Sequence, residues 1–280
     1  MHILVTGATG RVGSRLVPRL LQQGYSVSVL VRQPARAQAL KDLGAEIIKG
    51  DLLHPASLTH AVTNKNAIIH LAAFFRGATP EETHAVNLDG TLALARAALQ
   101  AGVSRFIFAS TNLVYGPGQM KPFQEDDLPN PAAPYPKTKA AAEQALLELH
   151  HTHGLDLRIL RLAFVYGEND PHLAEGLQWF RNWNPMQQIH MVHHADIAQA
   201  VILAMEAQNI DGQIFNVADD EPVTAAEIMN IYNEQITEES KSRAIDSSWL
   251  QIVDTKKIRE QLGFKPVHHS LSNAAEAGTL

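Results

Sequence analysis

The chain has 280 residues, 45% hydrophobic and 19% charged, with 29 acidic side chains against 23 Lys and Arg and a formal net charge of −6. This globular composition excludes a disordered chain, and its mild acidity offers no global attraction for nucleic acid or an anionic membrane. There are no cysteines, which excludes disulfides, thiolate nucleophiles and Cys-ligated metals and fits a reducing compartment. The longest apolar run, Ile68 to Phe75, is interrupted by His70 and falls far short of the ~20 residues that span a bilayer. The start, Met1-His2-Ile3-Leu4-Val5, has no basic leader region, so a soluble cytoplasmic protein is expected.

In chain order, the pattern predicts a strand at Ile3 to Thr6, a glycine cluster, and a helix from Val12 to Gln23 that Gly24 ends. Tyr25 to Val31 is the next strand, Ala35 to Leu43 a short helix closed by Gly44, and Glu46 to Lys49 a strand. Ser57 to Thr63 reads as a helix, Ala67 to Leu71 as a strand, and Glu81 to Ala101 as a long helix ending at Gly102. Phe106 to Ser110 is a strand, Lys137 to His151 a helix and Leu157 to Leu162 a strand. Strands alternating with helices imply right-handed βαβ units and a parallel sheet, and strands apolar on both faces suit a sheet covered on both sides.

After Tyr166 the rhythm breaks. Gly167 to Gln188 reads as irregular. A helix is expected from about Asp196 to Ala207 and a strand at Gln213 to Val217. Thr224-Ala225-Ala226-Glu227 is a capping-box sequence, with its helix running to about Gln235. Asp254 to Leu262 is a short helix, followed by a tail of polar and small residues. The expected layout is a larger domain over 1–166 to which 191–220 return, and a smaller lobe from 167–190 and 221–280.

Thr6-Gly7-Ala8-Thr9-Gly10-Arg11-Val12-Gly13 lies between the first strand and the first helix. Glycines there permit a tight turn and close backbone approach to a pyrophosphate, and the helix N-terminus offers unpaired N–H groups to it. The spacing is G-x-x-G-x-x-G rather than G-x-G-x-x-G. Arg32 follows Gly13 near the end of the second strand, where an NAD site usually has Asp or Glu. With Arg36 and Arg11 near it in sequence, Arg32 favours NADP, with NAD as the alternative.

Tyr135-Pro136-Lys137-Thr138-Lys139 opens a helix, and residues four apart lie on one face, so Tyr135 and Lys139 can share one space. A nearby ammonium and a positively charged nicotinamide both favour a phenolate, which suits Tyr135 to acid–base work. Thr111 ends the fifth strand, and open parallel sheets bind ligands beyond the carboxyl ends of their strands.

On these residues the chain resembles the extended short-chain dehydrogenase/reductase superfamily, the NAD-dependent epimerase/dehydratase family. The resemblance also rests on Gly50-Asp51-Leu52, His70-Leu71-Ala72-Ala73, Val86-Asn87-Leu88-Asp89-Gly90-Thr91, Ser110 to Gly116, Arg161 to Gly167, Val192 to Ala198, Phe215-Asn216-Val217 and Lys257 to Pro266. It implies a Rossmann-type doubly wound parallel sheet with a small C-terminal substrate lobe. It assigns Tyr135 as acid/base, Lys139 to lowering its pKa and holding the nicotinamide ribose, and Thr111 to orienting the reacting oxygen. Gly7, Thr9, Gly10, Arg11, Val12 and Gly13 would hold the dinucleotide, together with Arg32. Asp51 and Leu52 would lie at the adenine, and Leu71, Ala72 and Ala73 along the dinucleotide. A homodimer built on Glu81 to Ala101 and Lys137 to His151 is also implied.

The chain departs from nucleotide-sugar members of that family. They commonly carry an Asn where this chain has Phe164, and often an Arg-Asp pair where it has Ile189 and His190. A diphosphate needs donors and positive charge. Arg181 can substitute for one of them. The expected activity is therefore NAD(P)-dependent hydride transfer to or from a small carbonyl or secondary alcohol. The alternatives are a nucleotide-sugar epimerase or dehydratase with tightly bound NAD, and a non-catalytic dinucleotide sensor, against which the intact Tyr/Lys pair argues. None of the 14 His shows the spacing of a metalloenzyme, so no metal is expected. Trp179, Phe180 and Trp183 form either the core of the lobe or the wall of an apolar pocket.

Overall fold

The structure is a computed structural model that describes residues 1–75, 77–119 and 121–280. Its strands, in chain order, are β1 (His2–Thr6), β2 (Ser26–Val31), β3 (Glu46–Lys49), β4 (Ala67–His70), β5 (Arg105–Thr111), β6 (Leu157–Leu162), β7 (Phe164–Tyr166), β8 (Gln188–Ile189), β9 (Met191–His193), β10 (Gln213–Val217) and β11 (Val223–Thr224). Seven of them form one sheet in the order β10-β6-β5-β4-β1-β2-β3. The chain therefore reverses direction across the sheet between β1 and β4, where the two pair in parallel with Val5 opposite Ile69 and Thr6 opposite His70. A crevice outside the carboxyl ends of strands at such a reversal is where open α/β sheets take ligands.

The sheet forms because its strands are apolar on alternate faces and both faces are covered. Leu4, Ile68, Phe106 and Phe108 pack with Leu58, Leu94, Ala142 and Leu146 of the flanking helices. Ile3, Val5, Ile69 and Ile107, the neighbours along the same strands, are fully buried as well. The helices are α1 (Gly13–Gln22), α2 (Gln38–Asp42), α3 (Pro55–Val62), α4 (Pro80–His84), α5 (Thr91–Gln100) and α6 (Pro134–His153). This is the expected Rossmann-type doubly wound sheet.

The chain divides into two compact units: Met1–Thr111, Ala133–Leu160 and Val201–Ile214 in the first, and Asn112–Ala132, Arg161–Ala200 and Phe215–Leu280 in the second. Of the segment expected to return, only Val201–Ile214 joins the first unit, and residues 112–132, 161–166, 191–200 and 215–220, expected with the sheet, fall in the second. That unit has a parallel pair β7/β9 and an antiparallel pair β8/β11. Its core joins Tyr166, Leu177, Phe180, Ile189, Met191, Ile228, Met229 and Leu271. Further helices are α7 (His172–Phe180), α8 (His194–Glu206), α9 (Ala225–Ile231), α10 (Glu238–Lys241), α11 (Lys256–Leu262) and α12 (Leu271–Glu276).

Several expected elements are corrected. The stretch Gly167 to Gln188 is not irregular throughout, since it contains α7. Gly176, which weakens the helical signal, sits where a Cβ would lie 2.6 Å from the Phe180 ring, so packing selects it inside the helix. Glu81 to Ala101 is not one regular helix. α4 passes through a π-helical turn, Ala85–Gly90, into α5. The Thr224 capping box forms, but its helix stops at Ile231 instead of Gln235, because Asn233 takes a left-handed φ of 54°. Ala35 to Leu43 is a 3₁₀ turn, Pro34–Ala37, followed by the short α2.

Candidate active site

The glycine loop is shaped first by its own packing. Gly7 has a φ of +71°, and a Cβ there would lie 2.6 Å from the Ala72 nitrogen. A Cβ on Gly13 would lie 2.4 Å from the Gly7 oxygen. These two glycines let β1, α1 and the end of β4 meet. Gly10 differs: it is exposed, and the nearest atom to its Cβ position is the Gly7 oxygen at 3.2 Å. No side chain caps α1 at its start and no carboxylate lies in its first turn. A ten-residue helix thus presents backbone N–H groups with no competing anion of its own, a donor set that fits a dinucleotide pyrophosphate. Thr9 and Val12 are half-buried and Arg11 exposed on this loop.

Arg32, just past β2, is exposed, with its guanidinium 5.6 Å from the centre of the Phe74 ring. Arg36 is exposed in the 3₁₀ turn that follows. The Asp51 carboxylate accepts from the Leu53 N–H at 3.0 Å, and Leu52 is buried. Leu71, Ala72 and Ala73 are half-buried after β4. The Leu71 N–H donates to the Thr6 carbonyl at 3.2 Å and the Ala72 N–H to Thr6 Oγ1 at 3.3 Å, which brings this segment alongside the glycine loop.

Two residues without an assigned role hold this region together. His70 is fully buried; its Nδ1 lies 2.6 Å from Thr6 Oγ1 and its Nε2 2.8 Å from Thr91 Oγ1. The Thr91 hydroxyl donates to the Asn87 carbonyl at 2.8 Å. Burial, with the Lys139 ammonium as a second cause, lowers the His70 pKa to about 3, so the ring is neutral and each nitrogen has one hydroxyl. Asn87 sits in the π-helical turn. Its Oδ1 accepts from the Phe74 N–H at 2.7 Å, and its Nδ2 donates to the Phe74 carbonyl at 2.9 Å and to Thr138 Oγ1 at 3.1 Å. A histidine inside an apolar run was the sequence signal for the first; nothing in the periodicity marks the second.

α6 begins Pro134-Tyr135-Pro136, where the first turn needs no N–H partners and tolerates both prolines. Tyr135 and Lys139 follow at helical spacing on one face. The half-buried Tyr135 ring meets Phe75 edge to face, with centres 4.8 Å apart and planes at 76°. Desolvation pushes its phenol well above the ordinary range. Lys139 is 1% exposed, with its Nζ 3.8 Å from the centre of the Phe108 ring. Burial lowers its pKa to about 7, against a smaller upward pull from the buried Glu143 one turn on. Thr111, also buried, ends β5, the strand that carries Phe108.

In the second unit, Phe164 stacks on His172 with ring centres 4.1 Å apart. Ile189 is buried in β8. His190 is buried between the Asp219 carbonyl at 3.1 Å and the Val253 N–H at 3.1 Å. Arg181 is engaged by Glu234, with its Nε 3.0 Å from Oε2, so its charge is matched inside the unit. Phe180 is core, while Trp183 packs on it at 4.9 Å. Both also line a shallow recess with Arg181, Pro185, Met229, Ile236 and Ser240. Trp179 stacks with Trp249. Among the described residues no three His, Asp or Glu come together in a way that could hold a metal, and no helix is long and apolar enough to cross a membrane.

The family model described as NAD dependent epimerase/dehydratase family matches residues 3–218. Over 234 residues the chain is 31% identical to 4-hydroxy-2-methyl-3-oxo-4-farnesyl-3,4-dihydroquinoline-1-oxide ketoreductase from Stigmatella aurantiaca, covering 80% of this chain and 70% of that protein. Among solved structures, a short-chain dehydrogenase/reductase superfamily protein from Agrobacterium tumefaciens with bound NAD is 26% identical, with a TM-score of 0.82 over 99% of this chain and 97% of that one. The UDP-glucose 4-epimerase of Thermus thermophilus in complex with NAD is 25% identical, also with a TM-score of 0.82, over 98% and 96%. With the sheet order, the glycine loop and the Tyr/Lys helix, these likenesses make the chain a member of the NAD-dependent epimerase/dehydratase family.

Proposed function

We propose that this protein is a nicotinamide-dependent oxidoreductase acting on a small carbonyl or secondary alcohol, with NADP as preferred cofactor. The observation that carries the reading is the buried Lys139 ammonium one helical turn from Tyr135, over the strand that ends in Thr111. A bound nicotinamide dinucleotide supplies the hydride, or accepts it. Gly7 to Gly13 and the start of α1 bind its pyrophosphate, Asp51 and Leu52 lie at the adenine and Leu71 to Ala73 along its length. In the reductive direction Thr111 donates a hydrogen bond to the substrate oxygen and orients it. Tyr135 gives its phenolic proton to that oxygen, and Lys139 holds the ribose and favours the phenolate left behind. Desolvation opposes that phenolate, so both positive charges are needed for Tyr135 to work near neutral pH.

The solved NAD complexes support a nicotinamide dinucleotide, and the ketoreductase supports a carbonyl substrate. The likeness to the Thermus epimerase favours a second reading, a nucleotide-sugar epimerase. Against it, positions 164, 189 and 190 are occupied by packed or internally bonded side chains, and Arg181 is matched by Glu234. None of the four then has a free cation for a diphosphate.

The test is a screen of carbonyl compounds and nucleotide sugars with both reduced cofactors, then Tyr135→Phe on the best substrate. The ring and its packing survive that change and the proton donor does not. Turnover is expected to fall by about 10²–10⁴-fold with cofactor affinity unchanged. Near wild-type turnover in the variant would remove Tyr135 from the mechanism.

A further inference from the structure

Thr6, His70, Asn87 and Thr91 are all buried, and counting protons fixes the direction of every bond that joins them. The Thr91 hydroxyl has one proton and gives it to the Asn87 carbonyl at 2.8 Å. Its oxygen, 2.8 Å from His70 Nε2, must then accept, so that nitrogen carries the proton. The ring is neutral, so Nδ1 is bare and accepts from the Thr6 hydroxyl at 2.6 Å. A charged ring would also share Phe108 with the Lys139 ammonium. Thr6 Oγ1, its own proton committed to His70, accepts from the Ala72 N–H at 3.3 Å. The chain therefore runs one way, from Ala72 through Thr6, His70 and Thr91 to Asn87. The Asn87 side chain in turn grips Phe74 at both its N–H and its carbonyl, so the circuit closes on the segment where it began.

The Ala72 end of this chain meets the glycine loop. A Cβ on Gly7 would lie 2.6 Å from the Ala72 nitrogen and 2.7 Å from the Leu71 carbonyl carbon, so the two backbones touch there. The nitrogen in that contact is the one that bonds Thr6. We infer that His70 is a positioning residue for the dinucleotide: as its Nε2–H tautomer it orients the Thr6 hydroxyl to receive the Ala72 N–H, and so sets the spacing between residues 71–74 and the glycine loop. Without an acceptor at Nδ1 the Thr6 proton is released, the hydroxyl can turn, and the bond that seats Ala72 loses its orientation. This inference rests on the cofactor placement proposed above, since it assigns a role in binding to a side chain that never touches the ligand.

The experiment titrates NADP and NAD by calorimetry into wild type, His70→Asn and His70→Gln. The shorter amide can place an acceptor where Nδ1 stood, and the longer one a donor where Nε2 stood. His70→Gln should bind the preferred dinucleotide about tenfold more weakly, and His70→Asn within about threefold of wild type. A role in packing alone predicts the reverse order, because Asn leaves the larger cavity. Thr6→Val should match the loss in His70→Gln and Thr6→Ser should restore binding, a comparison that also serves if a His70 variant does not fold. The double variant Thr6→Val/His70→Gln should bind no more weakly than Thr6→Val, since the His70 change acts through the missing hydroxyl. Nitrogen-15 NMR of wild type at pH 7 reads the tautomer directly, with a proton expected on His70 Nε2 and none on Nδ1. A proton on Nδ1, unchanged affinity in His70→Gln, or weaker binding by His70→Asn than by His70→Gln would overturn the inference while leaving the cofactor reading intact. Wild type that binds neither dinucleotide would overturn the cofactor reading and this inference with it.

Discussion

Arg32 is exposed, with the planar donors of its guanidinium 5.6 Å from the centre of the Phe74 ring. If those donors read a 2′-phosphate, Arg32→Asp should weaken NADP binding by tenfold or more and narrow or reverse its advantage over NAD, since a bidentate contact is lost and a repulsive charge gained. Fluorescence titration with both cofactors checks this, and tighter NAD binding by wild type would refute it. Lys139 makes a second residue-scale prediction through stability. Its pKa falls from an ordinary 10.5 to about 7 in the fold. Below about pH 7 both folded and unfolded chains carry the proton, and the cost of a buried ammonium is fully present. Between about 7 and 10.5 the unfolded chain binds more protons, so this group makes stability rise with pH, by at most about 1.4 kcal/mol per unit. Lys139→Met should therefore be more stable than wild type near pH 6.5, with the gap closing towards pH 9.5. That range stays below the titration of the buried tyrosines, whose pKa values are raised. Denaturant melts across it decide the matter, and a gap independent of pH would mean that Lys139 stays charged throughout.

At the level of elements, the glycine loop couples chain packing to ligand approach. Gly13→Ala would place a methyl 2.4 Å from the Gly7 oxygen and 2.5 Å from the Ala8 Cα, both backbone atoms that cannot rotate away. The variant should lose about 1–3 kcal/mol of stability and also bind cofactor more weakly, because α1 must shift from the loop. Thermal melting with and without cofactor measures both, and an unchanged melting temperature would show that the loop is looser than its contacts. This element was legible in the sequence because a glycine cluster between an apolar strand and an amphipathic helix has few structural solutions. The same holds for the strands of the sheet, whose β-branched runs read correctly to within a residue or two. Tyr135, Lys139 and Thr111 were legible as types at strand and helix ends. Legibility fails where long-range packing decides. Gly176 hides α7 because Phe180 selects it, and the π-helical turn arises in a stretch whose Asn87 and Thr91 answer to Phe74 and His70, 13 and 21 residues away in sequence. The Asn87 clamp is of this kind: two of its three bonds go to the Phe74 backbone, and backbone atoms leave no mark in composition.

For the molecule as a whole, the unsettled surface is that of α5 and α6. Leu92, Ala93 and Leu99 on α5, and Leu147 and Leu149 on α6, pack on the core but are only partly buried. Ala97, on the stripe expected to face a partner, is already 9% exposed within the chain, whereas Ala101 is exposed. The small-residue stripe is thus shared between internal packing and the surface, and the half-covered leucines around it are what a second copy would bury. We propose that two copies pair these helices into a four-helix bundle, where small residues allow close approach. Wild type should sediment as a dimer at micromolar concentration. Ala93→Arg adds a long cationic side chain to a half-buried position on that face, so it should shift the species to monomer while keeping helical content and cofactor binding. Circular dichroism and cofactor titration on the same sample separate loss of pairing from loss of fold. A wild-type chain that sediments as a monomer would assign the half-covered leucines to the ordinary apolar share of a protein surface and remove any need for a partner copy.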